Sequence, residues 1–442
     1  MKNVFSRIAL LGCLMALAVF IIPGFAQAQN VKNCAWPIEL SPEGYGNATG
    51  PELLARYYLI PFDAQSDSLV IKGAYPHARY FSYVVYQDQT PTAIIGDLYD
   101  AQIAPDPGSL NPYVRPKDIR VQAAHARPSQ QPGDGTYTIV ISHAQPSAGN
   151  TIGVPPGHFA WVMLRIYIPN ADPSLSGHSL TGSVPLPAVS VTRGGASQAL
   201  SQCSPVNDLR DVGALLQDLF GGLVLNNPVD MPSSDRLWFA PLLSPPMRLF
   251  PNPHNKYVAM LPGDRYQPGR IIVIHGKAPG APRTYDGSPI WRPTRGSRSV
   301  DVRYWALCSV NFELPITSVD CASDLTANLE NGNYTVVISD DLLRPDWVPA
   351  SVNWMRWGDE QYPKLLFFRN MLPAPDFPYS IQRAVEKGCT FDLTLPNVPN
   401  SDATIPAGQC AQKVMGDYYP MAAWCDKSTF VSGGWQACIS GR

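Results

Sequence analysis

The chain repeats itself, and the repeat constrains the fold more than any other feature. Arg56, Tyr57 and Pro61 recur as Lys256, Tyr257 and Pro262. The run LVIKG at 69–73, followed by Ala78, Arg79, Tyr80 and Phe81, recurs as IVIHG at 272–276, followed by Val302, Arg303, Tyr304 and Trp305. DGTYTIVIS at 134–142 recurs as NGNYTVVIS at 331–339, and Met163, Leu164, Arg165 and Pro169 recur as Phe367, Phe368, Arg369 and Pro373. A pattern duplicated in the same order implies two copies of one domain.

Each recurring segment is a short β-branched or aromatic run bounded by turn residues, and the D-G or N-G step before the Thr-Tyr-Thr type run is a turn signal. Tyr137, Ile139 and Ile141 alternate with Thr136, Thr138, Val140 and Ser142, as in a strand with one face on a core. The 45 prolines and 34 glycines among 442 residues, with only 15% charged residues against about 25% in ordinary globular chains, exclude a coiled coil or helical bundle. The expected fold is all-β: two tandem jelly-roll or β-sandwich domains, at 29–200 and 231–388. Between them, residues 201–230 hold a connector helix, with Leu209, Val212, Leu215, Leu216, Leu219 and Phe220 at helical spacing, a start at Ser204 and Pro205, and a stop at Gly221 and Gly222. A second short helix is expected over 378–387. Residues 389–442 form a disulfide-stapled tail for which the first copy shows no counterpart.

Residues 1–28 read as a cleavable signal peptide: Lys2 and Arg7, an apolar stretch over 8–22, and Ala26, Gln27 and Ala28 as the cleavage site. The expected location is therefore periplasmic or secreted. Cys13 leaves with the signal. The remaining eight cysteines read as disulfides, and proximity along the chain favours Cys308 with Cys321, Cys389 with Cys410, and Cys425 with Cys438, leaving Cys34 for Cys203. The 33 basic and 35 acidic residues nearly cancel, and no basic run offers the footprint of a nucleic-acid binder. No later segment is long and apolar enough to predict a membrane span.

The run Gly73, Ala74, Tyr75, Pro76, His77, Ala78, Arg79, Tyr80, Phe81, Ser82 and Tyr83, then Asp134 and Gly135, then Arg165, Ile166, Tyr167, Ile168 and Pro169, resembles domain of unknown function 1214. That bacterial jelly-roll family is often found beside the related domain of unknown function 1254. A looser version spans 271–373, where Asn353 and Trp354 resemble the family's Asn-Trp step; in the first copy Asn150 is followed by Thr151. The resemblance implies a fold and no reaction.

Residues shared by both copies read first as structural. Arg79 with Tyr80, Arg303 with Tyr304, and Arg165 with Arg369 are expected either to hold carboxylate or backbone partners, or to bind an anion in each copy. Unshared residues are the better place for function. Trp347, Asn353, Trp354, Arg356, Trp357, Asp359 and Glu360 put aromatic faces beside planar polar groups, which suits a glycan or a small amphipathic ligand, though core packing explains tryptophans equally well. No nucleophile elbow, P-loop, dinucleotide fingerprint or metal-ligand spacing is present, so no cofactor and no metal is implied, apart from one assembled from distant strands. The leading expectation is a ligand-binding protein. The rivals are a hydrolase or lyase using Asp359 or Glu360 with Arg356 between the copies, and a structural envelope protein; homo-oligomerisation stays open.

Overall fold

The repeated segments form strands, and the two copies fold alike. The computed structural model describes residues 31–87, 93–114, 135–144, 149–169, 179–204, 206–220, 229–243, 250–263, 266–282, 300–393 and 400–439. The first copy supplies β1 (Ile38–Leu40), β2 (Ala55–Phe62), β3 (Ser68–Ala74), β4 (Ala78–Gln87), β5 (Ile94–Tyr99), β6 (Thr136–Ser142), β7 (Thr151–Gly153), β8 (Ala160–Pro169), β9 (Ala188–Arg193) and β10 (Ala196–Ala199). They form sheets ordered β1-β2-β8-β4-β5 and β10-β9-β3-β6-β7. The second copy supplies β11 (Arg236–Leu237), β12 (Ala240–Pro241), β13 (Asn255–Met260), β14 (Arg270–Lys277), β15 (Val302–Asn311), β16 (Thr317–Ser323), β17 (Asn333–Ser339), β18 (Asn353–Arg356), β19 (Lys364–Pro373) and β20 (Met421–Asp426). Its sheets are ordered β12-β13-β19-β15-β16 and β11-β20-β14-β17-β18. The chain is all-β, two tandem sandwiches whose strand orders correspond one to one.

Local detail repeats with the topology. A Cβ at Gly73 would lie 2.6 Å from the Tyr137 hydroxyl, and one at Gly276 would lie 2.8 Å from that of Tyr334, so each tyrosine requires a glycine on the neighbouring strand. Ile168 and Leu372 both take positive φ, 48° and 44°. Their N–H groups donate to the carbonyls of Leu54 at 2.7 Å and His254 at 3.0 Å, fixing the same left-handed kink before Pro169 and Pro373.

Burial separates an outer from an inner sheet in each copy. On β6, Tyr137, Ile139 and Ile141 are buried while the residues between them are not, as the alternation predicts. β4 and β8 are buried along nearly their whole length, because both faces are covered. Phe81, Tyr83 and Val85 enter the core of their own sandwich, whereas Tyr80, Val84 and Tyr86 enter a cluster shared with the second copy. On β15, Trp305 and Leu307 face their own core, and Tyr304, Ala306 and Cys308 face the shared cluster. The connector helix forms, as α1 (Leu209–Phe220), but it starts after Asp208, whose carboxylate accepts from the Arg210 N–H at 2.9 Å, rather than at Ser204. Pro205, Gly221 and Gly222 lie outside the described residues, and Leu215 and Leu219 join the same cluster.

Two ion pairs cross this interface reciprocally. Arg79 of the first copy pairs with Asp324 of the second, and Arg303 of the second pairs with Asp100 of the first at 3.0 Å. Each aspartate follows the edge strand of its inner sheet, and its N–H donates to the carbonyl of Phe81 (from Asp100, 3.0 Å) or Trp305 (from Asp324, 3.1 Å). The shared arginine–tyrosine steps are therefore fasteners between copies rather than within one.

The tail departs from expectation. After α2 (Ile381–Glu386), capped by the Ser380 hydroxyl, which accepts from the Arg383 N–H at 3.3 Å, come α3 (Ile405–Met415), β20 and α4 (Lys427–Ile439). β20 lies between β11 and β14, where the first copy places β9 between β10 and β3. The tail thus does have a counterpart, and Gly388 is no domain boundary: β14 needs a partner for its free backbone edge, and the chain returns from a distance to supply it. All four disulfides pair as proximity suggests: Cys34–Cys203, Cys308–Cys321, Cys389–Cys410 and Cys425–Cys438. The 1–28 leader lies outside the described residues, among which no helix is long and apolar enough to cross a membrane.

The reciprocal pairs give a test of the interface. Arg79→Met leaves Asp324 as a buried, uncompensated carboxylate and is expected to cost about 3–5 kcal/mol in urea unfolding. Exchanging the partners, Arg79→Asp with Asp324→Arg, is expected to recover part of that loss.

Candidate functional site

The tryptophan-rich segment does not converge on one surface. Asn353 is buried and bonded on every side: its Oδ1 accepts from the Asn328 N–H at 2.7 Å, and its Nδ2 donates to the carbonyls of Asn328 at 2.9 Å and Thr335 at 3.0 Å. Asn150 repeats this pattern in the first copy, with Ala104 and Thr138 in those places, which marks both asparagines as fasteners of a short parallel strand. Trp357 is fully buried against Trp424 and Tyr266 in the second core. Trp354 donates to the Ser339 hydroxyl at 2.8 Å. Trp347 packs on Phe430 with the Lys427 ammonium 4.6 Å from its ring. Arg356, Asp359 and Glu360 are exposed. Arg356 meets Asp320 on the inner-sheet edge strand β16, whose Ser318 in turn exchanges hydrogen bonds with Asn47 of the first copy, and none of the three lines the cavity between the copies.

That contact holds a cavity of about 130 Å³. Its walls are mainly apolar, from Leu40, Met163, Val310, Ile316, Leu365 and Phe367, and its polar side chains are Thr49, Tyr57, Tyr167, Tyr257, Asn252, Arg165 and Arg369. Both arginines arrive by the same local logic. Arg165 on β8 sits opposite Tyr57 on β2, and Arg369 on β19 sits opposite Tyr257 on β13. Each guanidinium lies over that tyrosine's ring, at 5.8 Å and 5.4 Å, and both arginines are at most 3% exposed.

Their partners differ. Arg369 pairs with the Glu52 carboxylate at 3.1 Å and donates to the Tyr167 hydroxyl at 3.3 Å. Tyr167 also accepts from the Tyr57 hydroxyl at 3.1 Å. Arg165 donates through Nη2 to the Tyr86 hydroxyl and the Phe250 carbonyl, both at 2.5 Å. Among the described residues it has no carboxylate partner, and its Nη1 has no hydrogen-bond partner.

The repeat explains the difference. Glu52 accepts at its carbonyl from the Ala55 N–H at 3.1 Å, and Asn252 accepts likewise from Asn255 at 3.1 Å, so the two residues occupy equivalent turns. An amide stands where symmetry would place the second carboxylate. Asn252 is 5% exposed, and its Oδ1 accepts from the His254 N–H at 3.0 Å and the Tyr80 hydroxyl at 3.3 Å. The tyrosines do not replace the missing charge, since burial pushes the phenols of Tyr57, Tyr80, Tyr86 and Tyr257 up and keeps them neutral.

Sequence reasoning found Arg165 and Arg369 but missed Tyr57, Tyr257, Glu52 and Asn252. The available signal was the unbroken apolar character of β4 and β8, which marks a sheet covered on both faces and hence an interface between the copies. Metal-type donors cluster at Glu52, Cys308 and Cys321, but the two sulfurs are bonded to each other and offer no thiolate.

No protein-family model and no curated protein matches the chain. Among solved structures, an uncharacterised protein from Burkholderia cenocepacia is similar at 15% identity and a TM-score of 0.47, covering 79% of this chain and 81% of that one. The VPA0106 protein from Vibrio parahaemolyticus is similar at 9% identity and a TM-score of 0.36, covering 74% and 86%.

The asymmetry predicts unequal mutational costs. Arg369→Met strands Glu52 and is expected to destabilise by about 3–5 kcal/mol. Arg165→Met strands no charge, only the Tyr86 hydroxyl and the Phe250 carbonyl, and is expected to cost about 1–2 kcal/mol. Urea unfolding of the two variants side by side checks this; equal losses contradict it.

Proposed function

We propose that the chain is an exported binding protein that takes one small amphipathic ligand into the cavity between its two sandwiches. The observation that carries this reading is the cavity itself: apolar walls with a few convergent polar groups, at the junction of two domains, are the usual makeup of a small-molecule site. The apolar lining favours an amphipathic molecule over the glycan that the tryptophan segment suggested. Four disulfides suit an oxidising compartment, and the basic and apolar leader with its A-x-A end is the export signal in this reading. The motif resemblance to domain of unknown function 1214 belongs to the same proposal and adds a fold rather than a reaction.

Titration calorimetry with C6–C10 aliphatic and phenyl ligands, carrying neutral or charged ends, tests the reading. Binding of one ligand per chain with a negative heat-capacity change is expected. Leu243 lines the cavity and is 40% exposed, so Leu243→Trp is expected to narrow the entrance and weaken binding. No binding across the panel, or binding indifferent to Leu243→Trp, contradicts it.

A further inference from the structure

Resting on that cavity as a binding site, we infer that its ligand is an amphipathic monocarboxylate whose head group supplies Arg165 with the counter-ion that Glu52 supplies to Arg369. Arg165 is 2% exposed and lines the cavity. A guanidinium remains protonated when buried, and an ion held from water without an opposite charge is costly. Its equivalent in the other copy meets that cost with a carboxylate at 3.1 Å.

The two arginines share strand position, burial and an underlying tyrosine, so the difference in charge rests on the residue in one turn, glutamate at 52 and asparagine at 252. Asn252 is itself part of the cavity wall, and its Nδ2 has no hydrogen-bond partner among the described residues. A carboxylate seated here offers acceptors to two enclosed donors that lack a partner, Arg165 Nη1 and Asn252 Nδ2, once their side chains turn toward it. The apolar remainder then runs along Met163, Leu365 and Phe367. One arginine already carries its own carboxylate, so the site takes a single negative charge. Charge-assisted bonds of this kind are about twice as strong as neutral ones, and the expected preference over a neutral head group is about tenfold or more.

The experiment compares octanoate with 1-octanol by titration calorimetry on the full disulfide-bonded chain. The wild-type protein is expected to bind octanoate about tenfold or more tightly than octanol. Asn252→Glu restores the symmetric ion pair from within the chain and is expected to bring that ratio to about one, while raising stability. Arg165→Met gives the same readout should Asn252→Glu fail to fold. Equal affinities in the wild-type protein, or a ratio untouched by either substitution, overturn the carboxylate assignment while leaving the cavity as a binding site. If neither compound binds, both readings fall.

Discussion

Everything in this molecule follows from burying both faces of its inner sheets. A sandwich with one sheet toward water needs no ions inside, but two sandwiches packed inner sheet to inner sheet must satisfy every polar group on four covered faces. The chain does this with arginine, whose planar fork reaches across a flat contact and bonds in several directions. Arg79 and Arg303 find aspartates in the opposite copy, and Arg369 finds Glu52. Because these pairs cross between the copies, neither sandwich is complete in its polar bonding alone.

How far the sequence discloses this depends on the kind of information involved. The repeat, the strands, the connector helix and the four sulfur pairings were all legible, since each rests on local pattern or on short separations along the chain. The role of β20 was not, because its MAAWCD run bears no likeness to the AVSVTR of β9, and only the need of β14 for a neighbour makes them equivalent. The tryptophan segment misled for a related reason. Trp354 and Trp357 are close in sequence, but one lies on the outer sheet and the other is driven into the core beside Trp424. Arg165 was visible as a candidate, whereas its lack of a carboxylate partner among the described residues was not. That became apparent only when the turns holding Glu52 and Asn252 could be compared.

Internal symmetry sorts structure from function here. Positions that both copies keep, such as Asn150 with Asn353 and Gly73 with Gly276, keep the same contacts in both. Positions where equivalent backbones carry different chemistry show where one copy has departed from the common plan. The exchange of carboxylate for amide at the turn before β13 is such a place, and it lies on a cavity. It also separates the paired arginines, since one is matched by a carboxylate within the fold and the other keeps a guanidinium N–H without a partner among the described residues.

The most direct measurement is a high-resolution crystal structure of the protein purified from its own source. The account predicts elongated density in the cavity, with a planar head within hydrogen-bond distance of Arg165 Nη1 and no such feature at Arg369. A side-chain carboxylate of the chain itself resting on Arg165 would contradict it.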